Sequence, residues 1–396
     1  MNVIIFDAPD VRENLLPLTY TRPIGAIRVG IDTIAEKWMR LLPGAYSWQT
    51  GADYLGDIWP TDSEAALSSD TLHIAGHVIP TPELASAAAS LVHGEALYGS
   101  DSEGSEFLIA LRGTEEKSKR YFREGDPAVS TITRLYHIFL LNGEMITEDF
   151  KALTSGRKSE PLSPTNTVIG DPSLIFIAPG AKVEGSFINT IAGPVYIGSD
   201  AEVMEGSMLR GPFAMGVHSV VNMGTKIYPG TTLGPYCKVG GELNNVVMLG
   251  YSNKAHDGFL GNAVIGEWCN LGAGCVASNL KNDYTPIKLW NYPAHRFLPT
   301  GLQFCGLIMG DHSKAGINTM FNTATVLGVG VNIHGAGFPR NFVASFSEGG
   351  YAGFTDVVMT KFFSIARRVM ARRGRELTPA DEHMFESIRQ IAENYK

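Results

Sequence analysis

The sequence predicts an α/β N-terminal domain followed by a parallel β-helix that ends in C-terminal helices. Three observations carry this. Of the 44 glycines, 31 lie beyond residue 160, so the two halves of the chain are built differently. In the C-terminal half an apolar residue returns every six positions. In the N-terminal half short apolar runs alternate with helical patterns. The 396 residues suit two or three domains, at roughly 150 residues each as a soft prior.

Residues 1–155 hold the runs VIIF, LHIA and FLIAL, each short enough for a strand, and the helical patterns IDTIAEKWMRLL and PELASAAASLV. Such alternation predicts an α/β layer. The polar stretch Ser155–Thr167 (SGRKSEPLSPTNT) contains two prolines and predicts a linker or irregular connection.

Residues 165–345 carry the repeat. Val203, Leu209, Met215, Val221, Ile227, Leu233 and Val239 form an unbroken apolar series at period six. Two positions earlier runs Ala201, Ser207, Phe213, Ser219, Thr225, Thr231 and Cys237, small apart from Phe213. A helix would repeat at 3.6 and a simple strand at 2. Period six, with Gly or Pro filling the gaps, predicts a very short strand and then a corner, three of which close a triangular coil. The series returns at Ala263, Cys269 and Cys275 with Ile265 and Leu271. It returns again at Ser313, Thr319, Thr325 and Val331 with Ala315, Phe321, Leu327 and Ile333. Cys237, Cys269 and Cys275 thereby read as core filling. With Cys305 they form no CxxC pair, so neither zinc nor a redox motif is expected. The rhythm lapses at Gly241–Asn262, where a loop is expected to emerge, and loops on rigid scaffolds often carry function. Asp356–Lys396 reads as two amphipathic helices, the second starting at Thr378 as N-cap with Pro379 at the first helical position.

Composition narrows the function. The chain is 44% hydrophobic and 18% charged, which excludes a disordered protein. A net charge of −8 and a pI of about 5.7 argue against nucleic acid as a partner. No apolar run reaches the ~18–20 residues that span a bilayer, and the start MNVIIFDAPD lacks the basic residues of a secretory signal. A cytoplasmic protein without a membrane partner is expected.

The stretch NKAHDGFLGNAVIGEWCNLGAGCVASN is more specific. It resembles the acetyltransferase half of the bifunctional N-acetylglucosamine-1-phosphate uridyltransferase/glucosamine-1-phosphate acetyltransferases, whose pattern is KAGHxxYLGDAxIGxxxNIGAGxxxxN. The likeness spans about 27 residues with one short gap, and the hexads extend it over roughly 165–340. It implies a left-handed parallel β-helix (hexapeptide repeat), a homotrimer and acetyl-CoA as co-substrate. Residue by residue, His256 takes the place of the general base. Imidazole titrates near neutral pH and can accept the proton of an attacking amine. Asn270 matches a residue that touches the sugar and the thioester region, and Ala273 and Asn279 match positions at the acyl-CoA slot. The alternative for the two asparagines is a ladder that satisfies corner backbone groups. The family Tyr after the base is Phe259 here, and its Arg and Lys on the sugar phosphate align with Tyr228 and Asn245. Lys254, with Lys226 and Lys238, could supply the missing cation, or could be solvated. His218, His256, His295, His312 and His334 lack the spacing of the zinc site in γ-class carbonic anhydrases, which share this architecture, so no metal is expected there.

The segment LLPLTYTRPIGAIRVGIDTIAEKW resembles the opening of sugar-1-phosphate nucleotidyltransferases, with Pro17, Leu18, Thr19, Pro23, Val29 and Ile34 in frame. It implies an α/β nucleotidyltransferase-like N-terminal domain, with Mg²⁺ if nucleotidyl transfer is retained. DAPDVRENL stands where the family has its phosphate-binding Gly-rich loop, Ile24 replaces a Lys, and His77 replaces the metal-binding Asp. Arg12, Thr19, Arg22 and Arg28 are the candidates to meet a nucleotide, ordinary ion pairing being the alternative for the arginines. Arg367, Arg368, Arg372, Arg373 and Arg375 could reach coenzyme A phosphates, or form a solvated helix face. Three functions are therefore expected in turn: acetyl transfer to an amino sugar or sugar phosphate; nucleotidyl transfer from a nucleoside triphosphate to a sugar 1-phosphate; and non-catalytic nucleotide-sugar binding.

Overall fold

The computed structural model describes residues 1–100, 104–122 and 129–396. It divides into two units, Met1–Ile27 with Asp32–His137, and Arg28–Ile31 with Ile138–Lys396.

In the first unit the three apolar runs become β1 (Asn2–Phe6), β3 (Leu72–Ala75) and β5 (Glu106–Arg112). With β2 (Ala45–Gln49), β4 (Glu95–Ser100) and β6 (Ser118–Tyr121) they form one sheet of order β2-β1-β3-β5-β4-β6. β1 is parallel to both neighbours, so its two faces are buried and VIIF is continuously apolar. α1 spans Pro9–Asn14. The two helical patterns become α2 (Ile34–Leu41) and, beyond α3 (Ser63–Leu67), α4 (Pro82–Ala89). Thr33 and Glu36 close a capping box at the start of α2. Trp38 on α2 is fully buried, and its indole N–H donates to the Val78 carbonyl at 2.9 Å.

The second unit is a parallel β-helix of three faces. The first face runs from Thr167–Ile169 to Met320–Phe321, the second from Ile175–Ile177 to Phe342–Val343, the third from Lys182–Val183 to Ser347–Gly350. Both hexad series point inward and are buried throughout, Val203 to Val239 in one and Ala201 to Cys237 in the other. Burying each such aliphatic side chain is worth about 1.5–3 kcal/mol before entropy is charged against it. The small series fits because its hydroxyls hand their protons to corner carbonyls: Ser219 Oγ donates to Gly234 O at 2.7 Å and Ser313 Oγ to Gly328 O at 2.7 Å. All four cysteines are free and buried, and burial pushes the Cys237, Cys269 and Cys305 thiols up to about 12.

No loop emerges at Gly241–Asn262. The coil continues there with fewer residues. Val203 to Val221 and Val221 to Val239 each use 18 residues, but Val239 to its register partner Lys254 uses 15. Two nine-residue strands, Glu242–Gly250 and Phe259–Glu267, run through a corner without a turn segment, which shortens the circuit and erases the hexad phase. The excursion lies further on, at residues 280–304, as the hairpin of Lys288–Asn291 with Arg296–Pro299.

The polar stretch 155–166 lies against the first coil: Glu160 N–H donates to Ile177 O at 2.8 Å and Asn166 Nδ2 to Val183 O at 2.7 Å. The helix α5 (Leu135–Thr154) belongs to this unit from Ile138 onward. Its Asn142 is fully buried on the second face. Asn142 accepts from Gly30 N–H at 2.7 Å and donates to Gly230 O at 2.7 Å and Thr232 Oγ1 at 3.0 Å. At the far end, Ser347–Gly350 pairs antiparallel with Gly353–Asp356, and the chain reverses into α6 (Met359–Ala371) and α7 (Pro379–Ala392). Thr378 and Asp381 form the capping box of α7, with Pro379 at its first position.

Candidate functional site

Every coil turns at three corners. Between the second and third faces, Asp200, His218, Tyr236, Tyr251, Trp268 and His312 all adopt positive φ, from 52° to 61°. Their rings form a column, His218–Tyr236 at 4.8 Å, Tyr236–Tyr251 at 5.2 Å and Tyr251–Trp268 at 4.2 Å. Arg375 donates to the Tyr251 hydroxyl at 3.3 Å. Arg367 pairs with Glu382 and Arg368 bonds to Ser364, so these two of the five C-terminal arginines are engaged within their own helices.

His256 stands at the corner where the third face passes into the first, directly after the strand Asn253–Lys254. It is exposed, as is Asp257 beside it. Asn253 pairs with Asn270 on the next coil, and Gly274 N–H donates to Asp257 O at 2.9 Å. This register brings Ala273 level with His256 and puts Asn270, exposed, on the adjoining strand. The backbone of the corner is tethered from two sides. Asn222 Nδ2, from an earlier coil, donates to Ala255 O at 2.6 Å. Lys254 Nζ donates to Gly240 O at 2.9 Å and His256 O at 2.5 Å.

Lys254 does not face solvent. It occupies the inward ladder position, in register with Val239, and is 1% exposed. Burial pushes its pKa down to about 8, against the opposing pull of Cys275 and Asp257. The sequence concealed this, because the hexad phase that would have marked residue 254 as internal is lost in the shortened coil. Lys314, which the sequence did not single out, is half-buried beside the inward Ala315 and also spends its ammonium on backbone: its Nζ donates to Trp268 O at 2.8 Å and His312 O at 3.0 Å, and burial takes its pKa to about 8.

Asn245 and Asn279 lie at a different corner, where the first face passes into the second. Asn245 has φ 55° and Asn262, one coil on, φ 47°, a conformation Asn tolerates better than most residues. Asn279 Nδ2 donates to Asn262 Oδ1 at 2.9 Å. A single copy of the chain therefore separates Asn245 and Asn279 from His256, Asn270 and Ala273 by the width of the first face.

In the first unit the chain runs from β1 to β2 on one side and to β3 on the other, so the order reverses at the carboxyl ends of β1 and β3. That is where α/β sheets form ligand crevices. Here the crevice is occupied by the chain itself. Asp7, just past β1, accepts from Arg12 at 2.8 Å and from Ile24 N–H at 2.8 Å. Arg12 also donates to Thr19 O and Arg22 O, and Thr19 Oγ1 returns a bond to Arg12 O at 2.7 Å. Arg12, Thr19 and Arg22 are all buried. Desolvation raises Asp7 to about 6 despite the guanidinium beside it. His77, past β3, is buried too. Its Nδ1 has no hydrogen-bond partner among the described residues, and burial lowers its pKa to about 4. Arg28, in the second unit, donates to Ile31 O. Among the described residues no group of three or more His, Cys, Asp or Glu side chains could hold a metal ion, and no helix is long and apolar enough to cross a membrane.

Residues 3–158 match the family described as sugar nucleotidyl transferase. Among curated proteins, the chain is 30% identical over 146 residues to a bifunctional sugar-1-phosphate nucleotidylyltransferase/acetyltransferase of Sulfurisphaera tokodaii, covering 36% of each chain. It is 29% identical over 92 residues to the bifunctional protein GlmU of Gloeobacter violaceus (23% of this chain, 20% of that one). It is 24% identical over 205 residues to GlmU of a Cyanothece species (46% and 41%). The chain thus spans less than half the length of these relatives. Among solved structures, the polysialic acid O-acetyltransferase OatWY aligns with 49% of this chain and 85% of its own, at 11% identity and a TM-score of 0.18. The chain is a divergent relative of the bifunctional sugar nucleotidyltransferase/acetyltransferases, with a sugar nucleotidyl transferase domain at its N-terminus.

Proposed function

We propose that this divergent relative is a cytoplasmic transferase of sugar nucleotide metabolism, and that its chemistry is acyl transfer from acetyl-CoA to an amino sugar or sugar phosphate. The observation that carries the reading is the exposed imidazole of His256, level with the small side chain of Ala273, at a corner whose backbone is held from inside the prism. His256 takes the proton of the attacking amine as the nitrogen closes on the thioester carbonyl. The C–S bond breaks, the leaving thiolate takes the proton back from His256 to become free thiol, and the acetylated amine is released. Backbone N–H groups at a Gly-rich corner would stabilise the developing oxyanion. Asn270 holds the acceptor sugar. Asn245 and Asn279 reach the reaction from a neighbouring copy, because they and His256 occupy different corners of one prism. This supports a homotrimer with sites between subunits, Asn279 and Ala273 lining the acyl-CoA slot.

The test mixes the full chain with acetyl-CoA and glucosamine 1-phosphate, or a panel of amino sugars, and follows free thiol. Release that depends on the acceptor and is lost in His256→Ala is expected. Equal release by the variant, or none with any acceptor, overturns the reading.

A second reading, nucleotidyl transfer to a sugar 1-phosphate, is favoured by the match of residues 3–158 to the sugar nucleotidyl transferase family. Any Mg²⁺ it needs would have to be held mainly by the substrate phosphates, since His77 stands where the family resemblance expects an Asp. Pyrophosphate release with UTP, dTTP, GTP or CTP and Mg²⁺ tests it. Tight nucleotide-sugar binding without turnover would leave the unit as a binding scaffold.

A further inference from the structure

A lysine at position 254 is costly where it stands. The positions in register with it, Val239 below and the ladder residue Leu271 above, are apolar and buried. An ammonium there must be desolvated, and an isolated one would be expelled or neutralised. A leucine or methionine would serve the prism better. What Lys254 does instead is reach the corner that carries His256, whose side chain is exposed. Two of its three N–H donors go to the carbonyls of Gly240 and His256, on successive coils of that corner. Asn222 holds the preceding carbonyl, Ala255, from a third coil. The titratable groups that pull electrostatically on the ammonium are Cys275 of the next coil and Asp257 at the corner itself.

We propose that Lys254 is a positioning residue: its buried ammonium fixes the corner carbonyls on which His256 is mounted, and so sets where the imidazole stands. The inference rests on the reading of His256 as the general base. Lys254 itself touches no substrate.

The experiment compares the full chain with Lys254→Met and Lys254→Arg, and adds Asn222→Ala as a variant that loosens the same corner without altering the ladder. Three quantities are read: thermal midpoint, acetyl-transfer kcat and KM, and the NMR signals of the His256 imidazole. Lys254→Met is expected to fold with a midpoint at or above the parent's. The lysine's native pKa lies below its unfolded value, so its burial penalty is full below pH 8 and fades as the pH rises toward 10.5. The variant's advantage should fade over the same range. Its kcat should fall about 10- to 100-fold with KM for acetyl-CoA little changed. The His256 imidazole signals should shift and broaden as the ring loses its single setting, and Lys254→Arg and Asn222→Ala should fall between. Unmoved imidazole signals with parental kcat overturn the proposal. Failure of Lys254→Met to fold also overturns it, since the lysine would then serve the prism. If the parent and His256→Ala are equally inactive with every acceptor, it is the acyltransferase reading that has failed, and the imidazole signals alone decide the role of Lys254.

Discussion

The carboxyl-end crevice of the N-terminal sheet and the His256 corner of the β-helix make an instructive pair. Both set charged or titratable side chains beside apolar runs. In the crevice the charges turn inward: Asp7, Arg12 and Arg22 are buried, and Arg12 and Asp7 neutralise each other. At the corner the roles split. Lys254 goes inside and His256 stays outside. The first arrangement braces a fold over a place where a ligand would enter. The second holds His256, with Asp257 beside it, toward solvent. The same residue types in sequence thus report different physics, depending on which side of a strand end they leave.

Four experiments can break or sharpen this contrast. The largest effect is expected from His256→Ala, which should lower acceptor-dependent thiol release by about 10²- to 10⁴-fold with an unchanged circular dichroism spectrum. Parental turnover would make the corner as structural as the crevice. Next, Arg12→Met leaves Asp7 buried without its cation and should destabilise the chain by about 3–5 kcal/mol in urea unfolding. If stability holds while nucleotide binding is lost, the crevice is the functional site and the comparison reverses.

The third concerns pH. Asp7 sits at about 6 in the folded chain against 3.8 as its ordinary value. Folding therefore favours its protonated form. The associated stability is full below about pH 4 and is lost as the pH rises through 6, an effect on the order of 3 kcal/mol at roughly 1.4 kcal/mol per unit. Asp7→Asn should flatten that part of the stability–pH curve. An unchanged curve would mean that Asp7 is not desolvated. The smallest effect is expected from Asn222→Ala, which removes one hydrogen bond to the corner and should cost about 1 kcal/mol in thermal unfolding. A cost of several kcal/mol would show the corner to be a keystone of the prism.

Legibility followed periodicity. Val203 to Val239 could be placed inside the prism from sequence alone, because a six-residue period fits one geometry and every inward position is filled to match. Thr378 and Pro379 were equally plain, since a cap acts on its immediate neighbours. Position 254 was not legible. Its coil is shorter than those before it, so counting by six lands on the wrong side of the strand, and the lysine reads as a surface cation. Arg12 was hidden for another reason. Its partner Asp7 is five residues away, but what makes the pair internal is the segment around Thr19–Ile24 folding over both, a closure that no local spacing encodes.

What the sequence by itself determined is the stacked prism, its inward ladders, the strand–helix alternation ahead of it and the capped helices behind it. These depend on contacts repeated at fixed intervals or made within a single turn. Tertiary structure alone decided which charges face water. Burial of an ionisable group is settled by the sum of desolvation and partners arriving from distant coils, and a small change in coil length can invert it.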